Sequence, residues 1–297
     1  MKLRLLLLSL IAALPAAALS FKDNDTVVLL GNTVIERAQK YGHLETALTL
    51  AADQPNLKFR NLGWSGDTVF GHARSYFGPP EEGFRRLTAD LEELKPEVVL
   101  ICYGAVAAFE GEDGLAEFLK GYEALLAMIQ STATPREIVI ISPPPAESLP
   151  PPMPKLEAHQ ERLALYAKAL GELAAKQQVG FADLFTTLGS VKGLTENGLH
   201  LTDDGYRVIA PKFLEALGLP VPATLKSPRA EDLREAIVAK NKLFFFRWRP
   251  ANETYLRLFR KHEQGQNVKE LPMFDPLIEN AEQDIEALRT SLASSQK

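Results

Sequence analysis

Short apolar runs alternate with longer amphipathic stretches along the chain. The runs are rich in Val and Ile and are continuous rather than alternating, which is typical of strands buried on both faces of a parallel sheet. Between them, apolar residues three and four positions apart predict helices. The predicted strands are Thr26–Leu30, Leu57–Leu62, Val98–Tyr103, Ile138–Ile141 and Val179–Leu184, and the clearest helices are Ala89–Lys95, Gly114–Leu126 and Leu156–Gln177. This order predicts an α/β protein, a three-layer α/β/α doubly wound fold with a parallel sheet of about five strands.

The chain changes character near its C-terminal quarter, so we predict a main domain over 21–222 and a helical extension over 223–297. Arg229–Phe246 and Asn280–Leu292 have helical patterns, and Phe274–Pro276 is predicted to break the chain between them. The segment Phe244–Arg249 mixes aromatic side chains with arginines. It is either a lid for an anionic or sugar ligand, or a helix that packs its aromatic side chains on the main domain.

The first twenty residues differ from the rest. Lys2 and Arg4 precede an apolar run, Leu5–Ala13, and a small-residue stretch, Ala16–Ser20. This pattern predicts a signal peptide over 1–20 and an exported protein, periplasmic or extracellular. The alternative is a membrane anchor, but the run is shorter than the roughly 20 residues that span a bilayer. We therefore expect no stable membrane span after cleavage.

Composition narrows the function classes. The chain has 297 residues, 46% hydrophobic, and a net charge of -5, which gives no reason to expect nucleic-acid binding. The single cysteine, Cys102, lies in an apolar run, where packing is the favoured role over that of a reactive thiol. The histidines outside the segments described next show no zinc-ligand spacing such as H-E-x-x-H, so we predict no metal and no cofactor. They are His43, His72, His159 and His262.

Distinctive segments follow three predicted strands and precede the last helix of the main domain. They are Gly31-Asn32-Thr33, Ser65-Gly66-Asp67-Thr68, Gly104-Ala105-Val106 and Asn197-Gly198-Leu199-His200. Sheets of this kind bind ligands at the carboxyl ends of their strands, so we expect the segments to meet there. Their order and spacing resemble the SGNH (GDSL-type) hydrolases, over roughly residues 26–217. That family has G-D-S, a glycine in an S-G-D-T-like turn, G-x-N and D-x-x-H at these places.

The resemblance implies a hydrolase of esters, with a small-molecule or carbohydrate ester as substrate. Thr33 falls on the nucleophile, His200 on the general base and Asn197 on the residue that orients it. Gly66 and the Thr33 backbone fall on the oxyanion hole, and Gly104 belongs to the G-x-N segment. Acyl transfer needs a hydroxyl, a base and donors aimed at the developing oxyanion, and these positions would supply them.

Four positions depart from the family pattern. Asn32 replaces an aspartate, and Thr33 replaces the nucleophilic serine with a side chain whose methyl group restricts χ1. Val106 replaces the oxyanion-hole asparagine, and losing one such donor costs on the order of 10²–10³ in rate. Asn197 replaces the aspartate; it can accept a hydrogen bond from the imidazole but carries no charge. The corresponding change in a serine protease costs roughly 10⁴.

The neighbouring segments resemble a divergent planctomycete- and verrucomicrobial-type branch of the family, with altered catalytic motifs. Among them are Gly31–Arg37 and Arg249–Tyr255. Glu36 and Arg37 on the first helix either face the pocket or lie on a solvated surface. Two functions stay open: a weak ester hydrolase, and a non-catalytic protein that binds a glycan or acyl ligand in the same crevice. The sequence makes no prediction of the oligomeric state.

Overall fold

The computed structural model describes residues 19–52, 54–190 and 192–294. Five parallel strands form a sheet in the order β2-β1-β3-β4-β5. They are β1 (Thr26–Gly31), β2 (Lys58–Asn61), β3 (Val98–Cys102), β4 (Glu137–Ile141) and β5 (Gly180–Ala182). The helices are α1 (Thr33–Tyr41), α2 (His43–Ala51), α3 (Pro80–Leu94), α4 (Leu115–Thr132), α5 (Glu157–Gln177), α6 (Leu184–Leu188), α7 (Asp203–Ala216), α8 (Arg229–Trp248), α9 (Glu253–Leu256), α10 (Lys261–Gln264) and α11 (Asp275–Ser294). This confirms the predicted fold class.

Helices cover both faces of the sheet. On β1, Val27 and Leu29 pack into a core layer with α1, α2 and α7, whereas Val28 and Leu30 pack into a second layer with α3, α4 and α5. All four side chains are buried. A strand with two buried faces has no polar face to alternate with, which explains the continuous apolar runs of the sequence. Cys102 is buried in the first layer, and burial raises the pKa of its thiol to about 12. Packing accounts for this cysteine.

The C-terminal extension packs on the main domain through α8, which contacts α1, α2 and edge strand β2. Phe244 is buried in the second core layer. Leu233 and Ile237 form a separate small core with Ile285 and Leu292 of α11. The two long helices of the extension, α8 and α11, therefore each bury an apolar face, and the packing interpretation accounts for the aromatic residue Phe244.

A buried polar network joins α8 to the main domain. Lys240 Nζ lies 2.7 Å from the Glu45 carboxylate and donates a hydrogen bond of 3.1 Å to the Phe59 carbonyl. Asn241 donates to the other oxygen of Glu45 over 2.7 Å. Burial lowers the pKa of Lys240, although Glu45 opposes that shift. The ammonium and the carboxylate each rely on the other, because neither side chain reaches solvent.

The predicted break at Phe274–Pro276 is wrong in kind. Residues Gly265–Phe274 form a 3₁₀ segment, and Asp275 begins α11, so the last helix starts five residues before the predicted Asn280. Pro276 sits in the first helical turn, where its missing N–H would have had no intrahelical partner. Pro276 therefore lies at the beginning of α11 and does not break the chain.

The predicted signal peptide lies mostly outside the described residues, which begin at Leu19. Leu19 is 5% exposed and belongs to the first core layer. The Ser20 N–H and hydroxyl both donate to Glu137 over 3.3 Å, and Arg136 donates to the Ser20 carbonyl over 3.2 Å. The last two residues of the predicted segment are thus part of the folded domain. None of the helices formed by the described residues has the length and apolarity to cross a membrane.

The Lys240–Glu45 pair gives a test of how firmly the extension is docked. Lys240→Met should lower the free energy of unfolding by about 3–5 kcal/mol, because it leaves the Glu45 carboxylate buried without its counter-ion. The double variant Glu45→Gln/Lys240→Met should recover most of this loss. Denaturant unfolding measures both, with Lys212→Met, in an exposed pair with Glu215, as the matched control. Equal effects of Lys240→Met and the control would contradict a tightly docked extension.

Candidate functional site

The segments identified in the sequence lie at the carboxyl edge of the sheet. Asn32 and Thr33 join β1 to α1, Gly66 lies in the turn after β2, and Gly104 follows β3. His200 lies in the loop that runs from α6, beyond β5, to α7. The strands are parallel, so these ends share one edge although they are far apart in sequence.

The Thr33 hydroxyl is the centre of this edge. The Gly66 N–H donates a hydrogen bond of 3.3 Å to Thr33 Oγ1. Thr33 is the first residue of α1, so its own N–H has no intrahelical acceptor. The Asn32 side chain caps the helix by accepting from the Val34 N–H over 3.4 Å. Two backbone donors therefore belong to the neighbourhood of one hydroxyl, which is the arrangement that an oxyanion hole requires.

Gly66 has a left-handed backbone conformation, with φ of +75°, and an added Cβ would meet no atom within 4 Å. Conformation, and not lack of space, therefore calls for glycine here. Because no packing surrounds this residue, the position of its N–H depends on the residues on either side of it in the turn.

Below the turn lies a fully buried ion pair that the sequence analysis missed. Asp67 and Arg74 are 0% and 1% exposed, and Asp67 Oδ2 lies 2.7 Å from Arg74 Nε. The Tyr103 hydroxyl donates to the same oxygen over 2.9 Å, and Arg74 donates to the Leu62 carbonyl over 2.7 Å. The pair ties the turn after β2 to the end of β3. An acidic residue directly after the turn glycine was the only available signal in the sequence.

Asn197 orients His200, but not as the sequence predicted. Its Oδ1 accepts hydrogen bonds from the backbone N–H groups of Leu199 (3.1 Å) and His200 (2.8 Å). Two donors at one atom identify that atom as the oxygen, so the amide nitrogen is the atom that faces the ring, 3.2 Å from Nδ1. We expected Asn197 to accept from the imidazole; instead it donates to it.

This hydrogen bond determines the tautomer of His200. A ring nitrogen that accepts a hydrogen bond carries no proton, so neutral His200 holds its proton on Nε2. A general base for Thr33 needs the opposite tautomer, with a free lone pair on Nε2. Across the described residues, moreover, no hydrogen bond joins the hydroxyl of Thr33 to the His200 ring. His200 is therefore held in a form that donates from Nε2.

A second carboxylate lies beside the ring. Glu196 Oε1 is 3.8 Å from His200 Nδ1 and 2.6 Å from Arg37 Nη1. Burial and the charge of Arg37 lower the pKa of His200, and Glu196 opposes them. A carboxylate therefore lies near the His200 ring, one residue before position 197, although at 3.8 Å it forms no hydrogen bond to Nδ1. Arg37, one of the two residues left open between pocket and solvent, pairs with that charge.

The other open residue, Glu36, contacts the turn after β2. Its carboxylate accepts a hydrogen bond from the Ser65 N–H and forms a 3.1 Å ion pair with Arg249 of the C-terminal extension. Its side chain is 19% exposed. Glu36 is therefore neither a freely solvated residue nor a neighbour of the histidine loop.

Glu147 holds the histidine loop in place, and the sequence analysis missed it as well. This buried carboxylate accepts hydrogen bonds from Gly193, from Leu194 (3.2 Å) and from the N–H (3.0 Å) and hydroxyl (2.5 Å) of Thr195. Its pKa lies below the ordinary value because these bonds outweigh the opposing effect of burial. Its N–H also donates to the Gly198 carbonyl over 2.8 Å. The proline-rich loop after β4 thereby clamps the segment that carries Asn197 and His200.

A small cavity opens at the carboxyl edge of the sheet, with a volume of about 110 Å³. Asn32, Gly104 and Val106 contribute to its wall, together with the aromatic rings of Phe70 and Phe118. Val106 is 40% exposed and offers no hydrogen-bond donor from its side chain. The cavity is of a size and polarity for a small, mainly apolar group. Among the described residues, no group of three His, Cys, Asp or Glu side chains could hold a metal ion.

Comparison with known proteins gives a family and a fold. A model of the GDSL-like lipase/acylhydrolase family matches residues 36–208. The match includes Gly66, Gly104, Asn197 and His200 and begins three residues after Thr33. No curated protein matches the chain in sequence.

Solved structures of other proteins have folds similar to that of this chain. A gut microbial diltiazem-metabolizing enzyme is 13% identical with a TM-score of 0.62, and the alignment covers 93% of this chain and 96% of that one. A catalytic mutant of an acetylxylan esterase from Geobacillus stearothermophilus is 16% identical (TM-score 0.50; 68% and 98%). An alpha/beta hydrolase enzyme from the metagenome of Lake Arreo, Spain, is 20% identical (TM-score 0.50; 67% and 97%). The first of these also covers most of the C-terminal extension.

The orientation of the Asn197 amide predicts which tautomer His200 adopts, and NMR spectroscopy can test this prediction. At a pH where the ring is neutral, two-bond ¹⁵N–¹H correlation spectra should show the proton on Nε2. In Asn197→Asp the carboxylate accepts from the ring, and the proton should move to Nδ1. The other histidines of the chain, such as the exposed His262, serve as internal controls. A proton on Nδ1 in the unmodified protein would contradict the amide orientation described here.

Proposed function

Because the chain belongs to the GDSL-like lipase/acylhydrolase family, we propose that it hydrolyses ester bonds slowly, with Thr33 as nucleophile and His200 as base. The observation that carries this proposal is the 3.3 Å hydrogen bond from the Gly66 N–H to Thr33 Oγ1. It brings an oxyanion donor to the one hydroxyl that stands at the family's nucleophile position. The attack would form a bond from Oγ1 to the ester carbonyl carbon, whose oxygen becomes the oxyanion, and the proton of the hydroxyl would pass to His200. The C–O bond to the alcohol would then break, with His200 returning the proton to the leaving alcohol. Water, deprotonated by His200, would release the acyl group as a carboxylic acid and restore the Thr33 hydroxyl.

The departures from the family pattern explain why the reaction would be slow. His200 must first exchange its Nε2 proton for one on Nδ1, or turn its ring, before it can accept from Thr33. As imidazolium it then donates from both nitrogens, and the Asn197 amide nitrogen cannot accept. We assign the role of accepting the hydrogen bond from Nδ1–H to Glu196. Its carboxylate is 3.8 Å from Nδ1 and needs to move only about 1 Å to reach hydrogen-bond distance.

The substrate that we propose is an O-acyl ester, with a carbohydrate as the favoured alcohol. The cavity of about 110 Å³ next to Asn32 and Gly104 suits a short acyl group. The acetylxylan esterase among the structural neighbours is an esterase of an acylated carbohydrate. We also assign the chain to a divergent branch of the family, on the segments Gly31–Arg37 and Arg249–Tyr255 and on the altered motif residues Thr33, Val106 and Asn197.

A second candidate, a binding protein without turnover, is favoured by the Asn197 amide. With Nδ1 occupied as an acceptor, His200 presents Nε2–H as a donor, in addition to the N–H groups of Gly66 and Thr33. A set of donors binds a carbonyl or carboxylate oxygen without needing a base. In this role the same crevice would retain a glycan or acyl ligand.

We propose that the protein is exported and that the segment before the folded domain is a signal peptide. Ala16-Ala17-Ala18 provides a small-residue cleavage site directly before the core residue Leu19. Cleavage after Ala18 would preserve the contacts of Leu19 and Ser20 with the domain. The N-terminal residue of the secreted protein, determined by mass spectrometry, should be Leu19; an uncleaved chain or a start beyond Ser20 would contradict this.

Substitutions should separate the two candidate functions. With short-chain aryl esters and acetylated xylo-oligosaccharides, Thr33→Ala and His200→Ala should abolish the slow hydrolysis. Val106→Asn should raise the rate by returning a donor to the oxyanion hole, where one donor is worth on the order of 10²–10³. Asn197→Asp should raise it further, since it restores both tautomer and charge, and Thr33→Ser should relieve crowding at the attacking oxygen. If a variant that combines Val106→Asn, Asn197→Asp and Thr33→Ser hydrolyses esters no faster than His200→Ala, the crevice binds ligand without hydrolysing it.

The pH dependence follows from the charges around His200. The pKa of His200 is lowered, and the base must be neutral, so the rate should rise with pH through a midpoint below 6.5 and be level above it. Arg37→Gln should move the midpoint up, because it removes a positive charge and frees Glu196. Glu196→Gln should move it down. An NMR titration of His200 measures the same shifts without turnover, with Arg207→Gln, in an exposed pair with Asp204, as the control. Shifts in the opposite directions would contradict the assignment of Glu196.

A further inference from the structure

The end of α8 reaches the turn that carries the oxyanion donor. Arg249 forms a 3.1 Å ion pair with one carboxylate oxygen of Glu36, and the other oxygen accepts a hydrogen bond from the Ser65 N–H. Ser65 directly precedes Gly66, whose N–H bonds to Thr33. A continuous chain of polar contacts thus runs from the C-terminal extension to the candidate nucleophile.

The Arg249 guanidinium is itself held in one position. It stacks over the Trp64 ring, 3.6 Å from the ring centroid. Trp64 is 9% exposed, and its backbone N–H donates to the Gly31 carbonyl over 2.9 Å. The ring also packs edge-on against Trp248, with centroids 5.8 Å apart. A planar cation that stacks and pairs at the same time keeps a fixed orientation, which a lysine at this position would not.

The turn that carries Gly66 is closed by a backbone hydrogen bond of 3.0 Å from the Asp67 N–H to the Trp64 carbonyl, and side-chain contacts of the residues that flank Gly66 hold it further. An added Cβ would meet nothing within 4 Å, so no side chain packs against the outer side of the turn. Asp67 anchors the turn from one side, through Arg74, and Ser65 anchors it from the other, through Glu36. Without the second anchor, the Gly66 N–H would sample more orientations, and a donor is useful only where it points at the developing charge.

Charge gives a second reason for a cation here. The Glu36 side chain, on α1, contacts the turn that carries the Gly66 N–H, and an unpaired negative charge there would oppose an oxyanion transition state. Arg249 neutralises that carboxylate. The pair therefore orients the turn without adding net negative charge to the site.

We propose that Arg249 of the C-terminal extension is a positioning residue of the candidate active site, which acts through Glu36 to set the Ser65–Gly66 turn. This inference rests on the proposed ester hydrolysis for its kinetic consequence, but not for its structural one. In this role of Arg249, the extension contributes to the geometry of the candidate site, although it lies outside residues 36–208 that match the family.

The kinetic arm compares Arg249→Gln with Arg247→Gln. Arg247 lies in the last turn of α8 and Arg249 directly follows that helix, and their side chains are similarly exposed (20% and 23%). Arg247 pairs with Glu93 and Asp275, away from the turn. Arg249→Gln should lower kcat about 10-fold or more with little change in KM, because orientation matters most in the transition state. Arg249→Lys should restore part of the rate. Glu36→Gln/Arg249→Gln should exceed Arg249→Gln alone, because no unpaired carboxylate remains.

The structural arm needs no turnover. Hydrogen exchange of a peptide that covers Leu62–Phe70 should quicken in Arg249→Gln and stay unchanged in Arg247→Gln, at equal Tm. Unchanged exchange in Arg249→Gln, or an equal rise in both variants, overturns the proposal. If exchange quickens in Arg249→Gln alone but the unmodified protein hydrolyses no ester, the positioning role stands and the proposed function fails. A loss of kcat that is equal in both variants also overturns the role of Arg249.

Discussion

The buried ion pair between Asp67 and Arg74 is the contact on which the candidate site depends. Breaking such a pair costs about 3–5 kcal/mol, since the remaining charge has no access to water. The pair therefore holds the turn after β2 against the end of β3, through Tyr103, whatever happens at the surface. The Arg74 guanidinium also lies beside Trp64 and Trp248, 5.5 and 5.8 Å from their ring centroids. One buried cation thus contacts both the turn after β2 and Trp248 of the C-terminal extension.

Much of the fold was predictable because burial on both faces leaves a direct trace in the sequence. The five strands match their apolar runs to within two residues at their ends, and α8 begins at the predicted Arg229. The start of α11 was less predictable, because Asp275-Pro276 is compatible with a break and with a first helical turn. Sequence patterns register which side chains are apolar, whereas this difference lies in the path of the backbone.

The site was predictable in its positions but not in its hydrogen bonds. The motif segments did meet at the carboxyl edge, as parallel topology requires. Which atom of Asn197 faces the ring could not be read from the sequence, because two backbone N–H groups decide it. Glu147 acts on the histidine loop from 46 residues or more away, and only the folded chain brings them together. Glu196 could have been found, since it places a carboxylate one residue from the position where the family has its own.

The altered residues share one physical character. Thr33 retains a hydroxyl, Asn197 retains a hydrogen bond to the ring, and Gly66 retains its donor, so the shape of a hydrolase site persists. What is missing is charge and proton flow: no charge at position 197, no side-chain donor at Val106, and a histidine proton on the nitrogen that should accept. Buried anchors such as Asp67 and Glu147 preserve the frame independently of these losses. The site therefore retains the donor at Gly66 and the loop that holds His200, whereas neutral His200 carries its proton on Nε2 and, within the described part of the chain, makes no hydrogen bond to the Thr33 hydroxyl.

The most direct measurement is intact-mass analysis with peptide mapping after incubation with a fluorophosphonate ester, which labels an activated hydroxyl covalently. The account predicts slow labelling at Thr33 in the unmodified protein, markedly faster labelling in Asn197→Asp, and none in Thr33→Ala or His200→Ala. Labelling of Thr33 at the same rate in the unmodified protein and in His200→Ala, or no gain in Asn197→Asp, would contradict the claim that the tautomer of His200 limits this site.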